Sequence, residues 1–128
     1  MSSTKSTLRL AENTDDRGDI TSQGADRLVS TVADFASIAK TSGCGELMAF
    51  ATSAVRDANN SDAVLERVHA ETGVTLEVLS GVDEARLTFL AVRRWFGWSA
   101  GRIVNLDIGG GSLELTTGGD EDPDVALS

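Results

Sequence analysis

Apolar side chains recur every three or four residues through residues 21–43 (Ala25, Leu28, Val29, Val32, Phe35, Ala36, Ala39), whereas the next apolar run, residues 46–53, has no such spacing. The first pattern is the stripe of an amphipathic helix stopped by Gly43, and the second is the compact run of a strand buried on both faces. The same change of period repeats further on. A helix is predicted over residues 62–72, capped by Asn60 or Ser61 and stopped by Gly73, with a strand after it at residues 74–79. A third helix is expected over residues 83–96, where Ala85, Leu87, Phe89, Leu90, Ala91, Val92, Trp95 and Phe96 leave few polar faces and predict burial on more than one side. Residues 5–10 read as a short opening strand and residues 12–19 as a polar loop. Alternating strands and helices restrict the chain to an α/β layer architecture with parallel strands and right-handed crossovers. The end departs from that rhythm: a strand at residues 102–108, a glycine turn and a returning strand at residues 112–117 form a hairpin, followed by an acidic, loose stretch at residues 118–123. The loop at residues 98–101 is the expected lobe boundary, dividing 1–98 from 99–128.

A chain of 128 residues fits one domain and buries roughly two-thirds of its unfolded surface. With 41% hydrophobic residues and one proline the composition is globular, and no apolar run is long enough to cross a bilayer, so no membrane partner is expected. The opening residues lack the apolar stretch of a secretory signal, which makes the cytoplasm the expected compartment. Cys44 is the single cysteine, which excludes an internal disulfide and a cysteine-built zinc site. A net charge of −9 argues against nucleic acid as a partner. It also means that any anionic ligand has to be held locally, by backbone N–H groups, a few arginines and a divalent cation.

The most informative stretch is Asp107-Ile108-Gly109-Gly110-Gly111-Ser112. Three glycines after a strand let backbone approach an anion and turn its N–H groups inward, and Ser112 adds a hydroxyl. Glycines serve a tight turn as readily, but strand alternation brings Asp107 to that turn on the same face as Ile103 and Asn105, where a carboxylate can place magnesium. The stretch is neither a Walker loop nor a dinucleotide fingerprint. Two further segments follow predicted strands. Arg56, in Ala51–Ala58, has the fork to hold a phosphate, although an isolated arginine is more often solvated or ion-paired. Asp83 and Glu84 open the third helix, where acids ordinarily answer the helix dipole; a carboxylate against an apolar helix also suits a general base, and one of the two should face inward. His69 reads as a surface histidine, Trp95, Phe96 and Trp98 as core or interface, and Arg93, Arg94 and Arg102 as a local basic cluster.

Taken in order, A-T-S-A-V-R-D-A, S-G-V-D-E-A-R-L and D-I-G-G-G-S-L-E-L resemble the exopolyphosphatase/guanosine pentaphosphate phosphatase family, in particular its actinobacterial members. The resemblance covers nearly the whole chain. It implies an incomplete actin-like, sugar-kinase-like (ribonuclease H-like) lobe carrying the first hairpin of a second lobe. It implies hydrolysis of the terminal phosphate of inorganic polyphosphate or guanosine pentaphosphate by magnesium-assisted attack of water. By position, Glu84 corresponds to the family's catalytic base, Gly109, Gly110, Gly111 and Ser112 to the phosphate cradle, Asp107 to the magnesium-associated carboxylate and Arg56 to the cleft-lining arginine segment; Glu114 matches a recurrent acid with no role assigned. The family's opening D-x-G-S-N loop has no counterpart here, so the chain is expected to be an inactive fragment, or alternatively a non-catalytic phosphate or nucleotide sensor. Sheet edges left open predict self-association as a homodimer.

Overall fold

The computed structural model describes residues 3–109 and 111–128. The chain divides into two compact units, the first reaching to Val78 and the second spanning Leu79–Ser128.

In the first unit the predicted helices form as their patterns require. Helix α1 spans Ser22–Thr41, and the Thr21 side chain accepts from the Gly24 N–H at its start. A two-residue strand β1 (Phe50–Ala51) leads into the single turn α2 (Ser53–Arg56), then α3 (Ser61–Thr72) and β2 (Glu77–Val78). Gly73 ends α3 in the left-handed conformation, φ 72°, which a Cβ would strain. β1 and β2 pair in parallel, as the α/β pattern predicts, with Phe50 opposite Glu77 and Ala51 opposite Val78. The core joins Leu10, Ile20, Ala25, Leu28, Ala51, Val55, Val64 and Val68.

Three expectations are corrected. The opening strand is absent: Arg9 turns to φ 48°, and Leu10–Asn13 coil into a 3-10 turn that buries Leu10. The runs at 46–53 and 74–79 keep only two paired residues each, because a strand needs a partner along its length and here the two meet only briefly. Asn60 is the N-cap residue of α3, as expected, but its side chain makes no bond to the helix. Its side-chain carbonyl instead accepts from the Ile20 N–H at 2.8 Å while its amide donates to the Ile20 carbonyl at 2.9 Å.

The second unit is a helix on a sheet. Helix α4 (Gly81–Phe96) packs against an antiparallel sheet of β3 (Ile103–Ile108), β4 (Leu113–Gly118) and β5 (Val125–Leu127), with β4 in the middle. The hairpin forms as expected; β5 lies just after the stretch read as loose. Ala85, Phe89 and Arg93 form the buried face of α4. Burial on several sides does not occur, since Leu87 is half-exposed and Trp95, Phe96 and Trp98 are exposed rather than core. The sheet also inverts the ordinary arrangement. Glu114 and Thr116 are buried, whereas Val104, Leu106, Ile108 and Leu113 of the opposite face are exposed.

Candidate functional site

The hairpin register follows from its four-residue connection. Ile108 pairs with Leu113, so Asp107 stands directly opposite Glu114 and Asn105 opposite Thr116. Side chains of directly opposite residues lie on one face, which brings two carboxylates together at the mouth of the glycine turn. Asp107 is half-buried and Glu114 is 1% exposed, its Oε1 accepting from the Ser128 hydroxyl at 3.4 Å. The S-x-E-L spacing held this pairing in plain view, because counting outward from a four-residue turn sets Asp107 across from Glu114. One step back, Asn105 Nδ2 and Thr116 Oγ1 are buried with no hydrogen-bond partner among the described residues.

In the turn the Gly109 N–H donates to the Ser112 carbonyl at 3.0 Å. A Cβ on Gly109 would meet only Ser112, at 3.5 Å, an ordinary contact, and φ there lies outside the left-handed range. Neither crowding nor strain therefore demands glycine at 109; what a side chain would obstruct is approach to the backbone. Gly111 is exposed and Ser112 half-buried. Gly110, the remaining residue of the expected cradle, lies outside the described residues.

At the start of α4 the two acids divide as expected. Ser80 caps the helix by accepting from the Asp83 N–H at 3.1 Å, and its hydroxyl donates to the Asp83 carboxylate at 2.6 Å. Asp83, also 3.9 Å from Arg86, is thus exposed and bonded to the capping Ser80. Glu84 is half-buried and adjoins the buried Ala85, on the helix that packs against the strands bearing Asp107 and Glu114. Arg56 belongs to the first unit, where it ends α2 with a side chain 23% exposed and an ion pair to Asp57 at 3.1 Å. The structure thus gathers the helix of Glu84 and the hairpin of Asp107 into one unit and leaves Arg56 in the other.

The basic cluster is corrected. Arg93 is fully buried and bonded to backbone carbonyls, Arg94 pairs with Glu121 at 3.3 Å and Arg102 with Asp124 at 2.6 Å, so these cations are engaged within the unit. Among the described residues no group of three or more His, Cys, Asp or Glu side chains is placed to hold a metal ion. The Asp107–Glu114 pair still offers hard oxygen donors, and magnesium usually takes one or two carboxylates and completes its shell with water and phosphate oxygens.

A helix packed on an antiparallel sheet, with a carboxylate pair at the glycine turn of its hairpin, is an α/β unit. The chain is a member of the Ppx/GppA phosphatase family, whose sequence profile matches residues 1–128. It is 73% identical over 128 residues to exopolyphosphatase 1 of Mycobacterium leprae (strain TN), covering 100% of this chain and 38% of that protein. Against exopolyphosphatase 1 of Mycobacterium tuberculosis (strain H37Rv) the identity is 71%, covering 37% of that protein. The crystal structure of an exopolyphosphatase from Cytophaga hutchinsonii superposes with a TM-score of 0.88 at 29% identity, over 95% of this chain and 39% of that one. The chain therefore spans less than two-fifths of the length of these relatives.

Proposed function

We propose that this chain carries the helix and hairpin that perform hydrolysis of a terminal phosphoanhydride, with inorganic polyphosphate as substrate and guanosine pentaphosphate as the alternative. The observation that supports it most is the Asp107–Glu114 pair at the mouth of the glycine turn, on a hairpin packed beneath the helix of Glu84. Glu84 takes the proton of the attacking water. Its setting suits the role, being half-buried beside an apolar helix face while Asp83 is bonded to the capping Ser80. The Gly111 N–H and the Ser112 hydroxyl hold phosphate oxygens, the Gly109 N–H being already bonded to the Ser112 carbonyl. Asp107, with Glu114 behind it, would hold magnesium; when bound, the ion neutralises charge on the phosphates. Local donors of this kind are what a protein of net charge −9 needs in order to bind a polyanion.

The test is phosphate release from long-chain polyphosphate with magnesium. This chain alone is compared with a chimera in which its 128 residues replace the matching segment of the Mycobacterium leprae relative. Release by the chimera supports the enzyme reading. Binding of polyphosphate by the chimera without release would instead make this segment a phosphate sensor.

A further inference from the structure

Arg93 is fully buried, yet among the described residues all its hydrogen bonds go to backbone carbonyls. Nη2 donates to Gly101 at 2.8 Å and Gly118 at 2.9 Å, Nη1 to Gly97 at 3.3 Å and Nε to Asp120 at 3.3 Å, while the guanidinium stands 5.8 Å from the centroid of the Phe89 ring. These carbonyls come from three places: the residue that ends α4 (Gly97), the turn two residues before β3 (Gly101), and the end of β4 with the turn just after it (Gly118 and Asp120). Ion pairing with a carboxylate is the ordinary way to keep a cation inside a protein, so a guanidinium held by four carbonyls serves as a geometric tie. Only arginine has five donors in a fixed planar fork, and no other side chain can reach four such acceptors while remaining charged.

We propose that Arg93 is a positioning residue, a clamp that fixes α4 on the hairpin so that Glu84 comes level with Asp107. The proposal rests on the catalytic reading above. Gly118 pairs with Ile103, so the clamp grips the open end of the hairpin, opposite the glycine turn. From Arg93 back to Glu84 is nine helical residues, about 13.5 Å; from Ile103 forward to Asp107 is four strand residues, about 13 Å. Helix and strand leave the clamp over matching spans, so loosening it shifts the acid at one far end against the carboxylate at the other. A misplacement of about 1 Å costs on the order of a hundredfold in rate where reacting groups must be aligned.

The chimera tests this with Arg93→Lys, Arg93→Met and, as a control, Phe89→Leu, which loosens the same core without removing a donor to the carbonyls. The expected result for both Arg93 variants is a kcat about 10- to 100-fold lower with KM within about twofold. Phe89→Leu, assayed below its Tm, should keep kcat within about threefold. If Arg93→Met fails to fold, Arg93→Lys carries the comparison. A near-parental kcat in Arg93→Lys, or an equal loss in Phe89→Leu, overturns the proposal. Spin labels at Asp83→Cys and Ile108→Cys, with Cys44→Ser and no other cysteine, read the spacing without turnover: one narrow distance in the parent and a broadened one in Arg93→Lys. An unchanged distribution overturns the clamp whatever the activity. A narrow distance in a parent that releases no phosphate, broadened by Arg93→Lys, overturns the catalytic reading and leaves the clamp standing.

Discussion

Thr116 is fully buried with a hydroxyl that no described residue bonds, directly across from an Asn105 whose amide nitrogen is in the same condition. A buried polar atom without a partner costs about 1–3 kcal/mol, so Thr116→Val, of nearly equal shape, should leave stability unchanged or raise it by about 1 kcal/mol. Urea unfolding of the chimera and its variant measures this, and a clear loss would show that the hydroxyl is satisfied in solution. A second residue-scale effect belongs to Asp15. Its carboxylate accepts from the backbone N–H groups of Asp19 and Arg17, which hold its pKa below the ordinary 3.8. Because the folded value is the lower one, the contribution is present above pH 3.8 and is lost as pH falls through the folded value. Carboxyl NMR titration should place the Asp15 midpoint below 3.8, and Asp15→Asn should remove any acid-side change in the turn between Thr14 and Ile20. Sequence made the candidates Asp107, Glu84 and Arg56 visible through residue type and neighbours. It concealed Arg93 as a clamp, because the carbonyls that define it lie 4, 8, 25 and 27 residues away.

Among the elements, helices were legible and most strands were not, for a physical reason. α1, α3 and α4 are closed by bonds within each helix and by local caps and stops, Thr21, Gly73 and Ser80, so short-range patterns suffice. A strand is completed by a partner that its own residues do not specify. Residues 5–10 find none, β1 and β2 find each other for two residues, and β5 joins β4 from three residues that carry no period. The hairpin is the exception because its turn sets its own register. Where β4 ends, backbone crowding sets the residue: a Cβ on Gly118 would stand 2.8 Å from the Pro123 Cα and 3.1 Å from Phe89 Cζ. Gly118→Ala should therefore destabilise the second unit by about 1–3 kcal/mol, whereas Gly119→Ala, with open space around it, should cost far less. Thermal melts of the two variants separate these outcomes, and equal losses would contradict the crowding.

At the scale of the whole molecule, the exposed apolar face of the sheet is the most unusual property. Val104, Leu106, Ile108, Leu113 and Leu127 are each at least 56% exposed, and the chain spans 38% of a relative that shares 73% of its residues. Apolar faces of this extent are ordinarily covered by further chain or by another molecule. The isolated chain should bind an apolar dye more strongly, per mole, than the chimera does, and its sedimentation should depend on concentration, as self-association requires. Equal dye binding by chain and chimera would show that the face stays open in the longer protein. As proposed, Glu84, half-buried near the start of α4, removes the proton from the attacking water while Asp83 is bonded to the capping Ser80. The most direct test is the kcat for phosphate release by the chimera carrying Glu84→Gln or Asp83→Asn. Glu84→Gln should lose about 10²- to 10⁴-fold, and Asp83→Asn, whose side chain accepts from the capping Ser80, should change within about threefold. Near-parental turnover in Glu84→Gln, or a collapse confined to Asp83→Asn, would contradict it.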